Sequence, residues 1–118
     1  MGASGLRRSV LAVPGSSDKM IAKAKGLPAD AIFLDLEDAV APIAKVEARA
    51  RIVDALNSDG WGDQLKVVRV NDWTTQWTYG DVIDVVSGAG RTLDAILLPK
   101  VECAAHVQAL DLLLTQIE

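Results

Sequence analysis

Short apolar runs alternate with longer segments of helical periodicity four times along this 118-residue chain. The runs have the length and composition of buried strands, and they occupy 9–13, 31–36, 66–71 and 93–100. Behind each run, apolar residues recur at the spacing of one face of an amphipathic helix. Repeated strand–helix units of this length predict a parallel β-sheet with right-handed crossover connections.

The predicted helices have recognisable limits and apolar faces. Ser17 or Asp18 can cap the first helix, and Pro28 prevents it from continuing much beyond Gly26. The second helix has an apolar face made of Val46, Ala50, Val53 and Leu56. The third is short and spans 79–87. The fourth has a face made of Val107, Leu110, Leu114 and Ile117.

A parallel α/β sheet of this kind is either an open, doubly wound sheet or a barrel. The glycine-rich fingerprint of a dinucleotide-binding open sheet is missing, because only Gly15 follows the first strand. Polar residues follow the strands instead, where a barrel carries its active site. Alternation places Asp35 and Glu37 opposite Ile32, Leu34 and Leu36, and it places Arg69 and Asn71 opposite Val68 and Val70. We therefore predict the (β/α)8 TIM-barrel fold, although an open sheet also binds ligands at its carboxyl edge.

Four β/α units make up only half of an eight-stranded barrel. Four strands alone would leave the outer edges of the first and fourth strands unpaired and the inner face partly uncovered. We therefore interpret 1–118 as the N-terminal half of a TIM-barrel domain, and we expect the natural polypeptide to continue past Glu118.

Composition excludes several classes of protein. The net charge of -4 and the isoelectric point near 4.9 argue against a nucleic-acid-binding surface, which requires clustered positive charge. Cys103 is the only cysteine of the sequence, so no internal disulfide can form and a reducing cytoplasm is the simplest location. No apolar run approaches the ~20 residues that cross a bilayer. We expect a cytoplasmic protein without nucleic-acid or membrane partners.

Charged residues gather at the predicted strand ends. The carboxylates of Asp35, Glu37 and Asp38 follow one another closely and repel each other unless a cation lies near them. Arg69 sits inside an otherwise apolar strand at the same level, where an unpaired charge is costly. Lys100 adds a second cation after the fourth strand. The pattern fits a functional pocket. It also fits a structural ion pair of Arg69 with Asp35 or Glu37, a solvated acidic turn and a loop lysine in solvent.

The other candidates carry weaker signals. The turn at 14–17 precedes a helix and offers backbone N–H groups to an anion, which Lys19 and Lys23 would extend towards phosphates. Two lysines on one helix are, however, usually a solvated face. Cys103 and His106 are too few ligands for a metal site. The tryptophans, interpreted as packing residues, are Trp61, Trp73 and Trp77.

Several motifs together resemble the HpcH/HpaI aldolase and citrate lyase beta-subunit superfamily. They are VPGSSDKM, LDLEDAVAP with the downstream Lys45 and Arg49, VRVN and LLPKVE, and the resemblance runs from about Arg8 to Glu118. Within the superfamily, the stretches YGDVIDVV, AGRTLD and PKVECAAHV are most similar to malyl-CoA/β-methylmalyl-CoA lyases. The resemblance implies a (β/α)8 barrel that reversibly cleaves 3-hydroxyacyl-CoA thioesters, such as malyl-CoA to acetyl-CoA and glyoxylate.

The resemblance also implies roles at the catalytic centre. Arg69 matches the arginine that holds the 2-oxoacid and helps to stabilise the thioester enolate. Glu37 and Asp38 match the acidic pair that lies beside a Mg²⁺ ion, where it organises the ion's water without being its main direct ligand. The two direct ligands, a Glu and an Asp, belong to the fifth and sixth strands, beyond Glu118. A further catalytic aspartate comes from a neighbouring subunit.

The CoA site is only partly reproduced. Lys23 matches a lysine on the CoA phosphates, and Pro14 and Gly15 form the turn of the CoA site. Ala12 replaces the aromatic residue that precedes this turn in the family, and Ser17 replaces an arginine within it.

These features together predict a Mg²⁺-dependent carbon–carbon lyase of the Claisen type, acting on an acyl-CoA and a 2-oxoacid as a homo-oligomer, either a trimer or a hexamer. One alternative is an enzyme like the citryl-CoA lyase beta subunit, and another is a non-catalytic half-barrel that only associates with other chains. The sequence does not distinguish glyoxylate, oxaloacetate and pyruvate as the 2-oxoacid. We expect the isolated 118-residue chain to be inactive.

Overall fold

Within residues 10–27, 29–101 and 103–117, which the computed structural model describes, four β-strands alternate with four α-helices. The strands are β1 (Val10–Pro14), β2 (Ala31–Asp35), β3 (Leu65–Arg69) and β4 (Ala95–Leu97). The helices are α1 (Asp18–Lys25), α2 (Lys45–Asn57), α3 (Thr78–Ala89) and α4 (Ala104–Ile117), and a short 3₁₀ helix (Pro42–Ala44) leads into α2. The prediction of four β/α units is confirmed.

The strands form one parallel sheet in the order β1-β2-β3-β4. Its register runs in one line across the carboxyl ends, where Pro14 pairs with Asp35, Asp35 with Arg69, and Arg69 with Leu97. This sequential order is that of a barrel, whereas a doubly wound sheet reverses its strand order at a switch point. The sheet therefore brings the ends of β2 and β3 side by side.

The apolar face of the sheet is buried against the helices. Ile32, Leu34 and Leu36 are fully buried, as the alternation predicts, and so are Val68 and Val70. The same core contains side chains of α2 and α3, among them Ile52, Leu56, Val82 and Val85. Burial of this aliphatic layer is the main favourable contribution to folding, and it fixes which face of β2 and β3 remains for the site.

The limits of α1 agree with the sequence. Oγ of Ser17 accepts a hydrogen bond from the backbone N–H of Met20 at 3.2 Å, so Ser17 is the cap and Asp18 occupies the first turn. The helix ends at Lys25. Pro28, the predicted stop, lies outside the described residues.

Three regions differ from the sequence-based expectation. The predicted apolar face of α2 is wrong in part, because Val46 is 62% exposed and Ala50 is also exposed, while Ala48 and Ile52 are buried beside Leu56. β3 ends at Arg69, so its alternation does not extend to Asn71, whose side chain bonds to Lys45 and Asp81 of the helices instead of sharing the face of Arg69. The predicted apolar face of α4 is not deeply buried, and Val107 is more than half exposed. None of the described helices is both long and apolar enough to cross a bilayer. The cytoplasmic location stays a prediction.

Candidate active site

Asp35 and Arg69 form an ion pair with two hydrogen bonds at the carboxyl ends of β2 and β3. Nε of Arg69 donates to Oδ1 of Asp35 at 2.8 Å, and Nη2 donates to Oδ2 at 2.7 Å. The backbone N–H groups of Glu37 and Ala39 donate to the same carboxylate at 2.8 and 2.9 Å. Asp35 is only 1% exposed, and these donors compensate its charge. Arg69 is thus engaged in an ion pair with Asp35, as one of the interpretations of the sequence predicted.

The environment keeps both partners charged at neutral pH. Burial raises the pKa of Asp35, but the hydrogen bonds from Arg69 and from the two backbone N–H groups outweigh burial and hold the pKa below its ordinary value of 3.8. The pKa of Arg69 is raised, chiefly by its hydrogen bond to Asp35. The pair therefore presents a permanent positive charge next to a permanent negative one.

Glu37 lies beside the guanidinium, so the structure brings the predicted residues of the two strands together. Its Oε1 lies 3.5 Å from Nε of Arg69, and its Oε2 lies 2.7 Å from Nζ of Lys100. The Glu37 side chain is 5% exposed, whereas Arg69 is 30% exposed and reaches solvent. The arrangement is a charged cluster in which Glu37 is buried while Arg69 and Lys100 are partly exposed. The catalytic roles of Glu37, Asp38 and Arg69 stay predictions.

Lys100 joins the cluster from the segment after β4. Its Nζ lies 3.7 Å from Oδ1 of Asp38 and 3.7 Å from Oδ2 of Asp72, in addition to its contact with Glu37. The pKa of Lys100 is raised, first by its bond to Glu37. Asp38 is exposed, whereas Asp72 is buried and accepts a hydrogen bond from the N–H of Thr74 at 2.8 Å. The sequence analysis did not single out Asp72. Its position directly after the VRVN motif, at the end of a predicted strand, could have identified it.

Lys45, the first residue of α2, binds the segments that follow β2 and β3. Its buried Nζ donates to the backbone oxygens of Leu36 and Glu37 at 2.9 and 2.7 Å and to Oδ1 of Asn71 at 2.8 Å. Oδ2 of Asp81 in turn accepts from the N–H and from Nδ2 of Asn71 at 2.9 and 2.6 Å. Burial lowers the pKa of Lys45. Hydrogen bonds thus fix the segments that follow β2 and β3 to α2 and α3. The sequence motif LDLEDAVAP with the downstream Lys45 did not predict these hydrogen bonds.

The turn after β1 packs tightly against β2. The N–H of Gly15 donates to the carbonyl oxygen of Asp35 at 2.8 Å, and the N–H of Ser17 donates to that of Pro14 at 3.2 Å. A Cβ added at Gly15 would lie 2.6 Å from Cδ1 of Ile52 and 2.8 Å from the Asp35 carbonyl oxygen. Glycine is therefore required for close packing. The sequence suggested that the N–H groups of this turn are available to an anion, but the N–H of Gly15 is bonded within the fold.

The other predicted candidates are Lys23, the turn after β1 and the tryptophans. Lys23 is exposed on α1, and its contact with CoA stays a prediction, as does that of Pro14 and Gly15. Nε1 of Trp61 and Nε1 of Trp73 each donate to a backbone carbonyl oxygen at 2.8 Å, which agrees with their interpretation as packing residues.

The described part of the chain does not hold a complete metal site. No group of three or more His, Cys, Asp or Glu side chains there is arranged to bind an ion. The buried carboxylates already face cations, Asp35 facing Arg69 and Glu37 facing Lys100. A Mg²⁺ ion at this charged cluster would need oxygen ligands from other segments of the protein.

The sequence and the fold match proteins of known family. The family model for HpcH/HpaI aldolase/citrate lyase matches residues 8–118. An L-malyl-CoA/beta-methylmalyl-CoA lyase of Cereibacter sphaeroides is 48% identical over 105 residues, which are 89% of this chain and 33% of the relative. A (3S)-malyl-CoA thioesterase of the same species is 46% identical over 102 residues, covering 86% of this chain and 35% of the relative. The chain spans about a third of the length of the curated relatives it matches.

Solved structures agree with this result. CitE from Mycobacterium tuberculosis, in complex with magnesium, acetoacetate and coenzyme A, has a TM-score of 0.69 and 34% identity, with 89% of this chain and 38% of that chain covered. A citrate lyase from Burkholderia xenovorans has a TM-score of 0.79, 21% identity, and coverage of 96% and 36%, and it supports the fold alone. The four β/α units correspond to part of the TIM barrel of these neighbours. The chain therefore belongs to the HpcH/HpaI aldolase/citrate lyase family.

Proposed function

We propose that the protein containing this chain is a carbon–carbon lyase that cleaves or forms 3-hydroxyacyl-CoA thioesters, in the manner of malyl-CoA giving acetyl-CoA and glyoxylate. The observation that carries the proposal is the position of Arg69, which the buried carboxylate of Asp35 holds with its side chain partly exposed to solvent. The similarity to the malyl-CoA/beta-methylmalyl-CoA lyase supports the choice of substrate class.

Arg69 suits the charge that this reaction develops. Breaking the bond between C2 and C3 of the thioester sends its electron pair towards the thioester oxygen, as an enolate. The 3-hydroxyl group gives its proton to a base of the whole protein and becomes the carbonyl of the 2-oxoacid, and C2 of the enolate then takes up a proton to give acetyl-CoA. Nε and Nη2 of Arg69 bond to Asp35, and Nη1 donates to no group in the described residues. Nη1 is therefore the donor that we assign to the oxoacid and the developing enolate. A fixed, preorganised charge of this kind lowers the barrier because it needs no reorganisation during the reaction.

We propose that the whole protein depends on Mg²⁺, since the similar CitE structure contains magnesium. The direct ligands would come from segments beyond this chain, and Glu37 and Asp38 would lie beside the ion and order its water. Lys23 and the turn of Pro14 and Gly15 would contact CoA, and the protein would act as a homo-oligomer.

A second candidate is hydrolysis of the same thioester. The similarity to a (3S)-malyl-CoA thioesterase, at 46% identity, favours it nearly as strongly as the other similarity favours the lyase. The two reactions start from one substrate and differ in the bond that breaks. A lyase gives glyoxylate and acetyl-CoA, whereas a thioesterase gives malate and free CoA thiol.

The test uses the whole protein with malyl-CoA and citryl-CoA, with Mg²⁺ or with EDTA. Glyoxylate, oxaloacetate and free thiol are measured in parallel. We expect glyoxylate from malyl-CoA without a matching release of thiol, and we expect EDTA to abolish it. Thiol release with malate as the other product would identify the thioesterase, and no turnover of either thioester would favour the non-catalytic alternative.

Arg69→Ala is the decisive variant. We expect it to remain folded and to lose turnover by on the order of 100-fold or more, as removal of a preorganised donor does. Arg91→Ala is the matched control, because Arg91 is exposed and lies on the opposite side of the fold, after α3. Near-normal activity of Arg69→Ala would refute the assigned role.

A further inference from the structure

Lys100 adopts a backbone conformation that lysine rarely takes. Its φ is +52°, and among the described residues it is the only one other than glycine with a positive φ. The left-handed region crowds the Cβ of an L-residue, and it persists where the surrounding contacts over-determine it. The contacts of the Lys100 side chain are therefore the place to look for the interactions that stabilise this conformation.

The ammonium of Lys100 joins three strand ends. From the segment after β4 it reaches Glu37 at 2.7 Å, and it lies 3.7 Å from both Asp38 and Asp72, which follow β2 and β3. Glu37 is 5% exposed, so its charge requires a nearby cation. Lys100, at 2.7 Å, is closer to this carboxylate than Nε of Arg69, at 3.5 Å.

The position of Glu37 decides what Arg69 can bind. Two of the guanidinium nitrogens are committed to Asp35. If Lys100 were absent, the buried Glu37 carboxylate would be drawn to the remaining nitrogen, Nη1, because the guanidinium would then be its nearest cation. Nη1 would then be occupied by a protein carboxylate instead of a ligand.

We infer that Lys100 is a positioning residue for the thioester chemistry: its ammonium holds Glu37 so that Nη1 of Arg69 remains open to the substrate. The inference rests on the proposed function. Lys100 touches neither substrate nor reacting atoms in this role, and it acts through Glu37. From the segment after β4, the Lys100 side chain reaches the end of β2, where its ammonium lies 2.7 Å from Glu37.

The experiment compares variants of the whole protein. Lys100→Met removes the ammonium and keeps the aliphatic stem, Lys100→Arg restores a cation, and Lys100→Asn keeps a residue that tolerates the left-handed region. Lys66→Met is the matched control, because Lys66 pairs with Asp94 at 3.5 Å near the start of β3.

We expect Lys100→Met and Lys100→Asn to lower kcat for malyl-CoA by about 100-fold, the effect of losing a preorganised donor, because Glu37 would occupy Nη1. KM should change little, Lys100→Arg should recover most of kcat, and Lys66→Met should match the wild type. Unchanged kcat, or a rise in KM alone, would overturn the positioning role.

A double-mutant cycle separates this inference from the proposed function. In a Glu37→Gln background, Lys100→Met should cause no further loss of kcat, and additive losses would contradict action through Glu37. The same four proteins are also unfolded with urea, where we expect a non-zero coupling free energy between the two residues. Absence of that coupling overturns the inference whether or not the protein turns over a thioester. A wild type without turnover refutes the proposed function alone.

Discussion

Asp35 and Arg69 depend on each other for their burial. A charge inside β3 is tolerated because a carboxylate of β2 meets it with two hydrogen bonds, and that carboxylate is tolerated because the guanidinium and two backbone N–H groups meet it. The need for a partner was predictable, since Arg69 interrupts an apolar strand. The identity of the partner was not, because Asp35 and Glu37 alternate onto the same face. The register, which pairs Asp35 with Arg69, makes the choice.

This pair predicts a pH dependence of stability. The folded pKa of Asp35 lies below the ordinary value of 3.8, so the unfolded chain takes up the proton at a higher pH than the folded protein. The stabilisation from Asp35 is therefore complete above the unfolded pKa and is lost as the pH falls through the folded pKa. We expect the difference in free energy of unfolding between wild type and Arg69→Ala to shrink from neutral pH to about pH 3. Urea titrations measure this difference, and a value independent of pH contradicts the prediction.

Gly15 gives a second prediction for a single residue. Gly15→Ala should reduce the free energy of unfolding by about 1–3 kcal/mol, the usual effect of overpacking, since the new Cβ would meet Ile52 and the Asp35 carbonyl oxygen. Gly26→Ala is the control, because its Cβ would lie 3.9 Å from the nearest atom, the Lys23 carbonyl oxygen. Denaturant titrations of both variants test the prediction, and equal stability of the two would contradict it.

At the scale of elements, the polar contacts between helices and strand ends were the hardest to predict. Hydrophobic periodicity placed the strands and helices, because the core face of each element repeats at a fixed spacing. It carries no information on where a long polar side chain ends. Lys45 crosses from α2 to two backbone oxygens after β2, and Asn71 turns to α3 once β3 has ended. Such contacts arise only when the elements have assembled.

The attachment of α3 to β3 can be tested through Asp81. This carboxylate is fully buried and accepts hydrogen bonds from Asn71 and, at 2.8 Å, from Nε of Arg49. Asp81→Ala leaves Arg49 without its main partner, and we expect a loss of about 3 kcal/mol or more in unfolding free energy. Asp84→Ala is the control on the same helix, since Asp84 is 52% exposed and lies 3.6 Å from Arg49. Similar effects of the two variants on urea unfolding would contradict the structural role of Asp81.

At the scale of the whole molecule, the family assignment and the parallel fold were both predictable, because the strand ends carry motifs in a fixed order. The extent of the site was predictable only in part. The carboxylates and cations at the ends of β2, β3 and β4 meet in one charged cluster, but they do not make a complete metal site within the described residues. Whether 1–118 is half of a domain stays a prediction, although the chain spans about a third of its relatives.

The incomplete metal site predicts the result of an activity measurement on the 118-residue chain alone. We expect the isolated chain to release no glyoxylate from malyl-CoA, with or without added Mg²⁺, because its described residues do not form a complete set of ligands for the ion. The whole protein, assayed in parallel with a coupled reductase, is the positive control. Magnesium-dependent glyoxylate release by the isolated chain would show that its own side chains suffice.

The strand order of the sheet has a consequence for how the protein is made. Neighbours in space are also neighbours along the chain, so each pairing closes a short loop and costs little entropy. A nascent polypeptide leaving the ribosome can therefore acquire structure one unit at a time. The segment 31–69 contains both strands that contribute Asp35 and Arg69, so their pairing requires no strand from elsewhere in the chain.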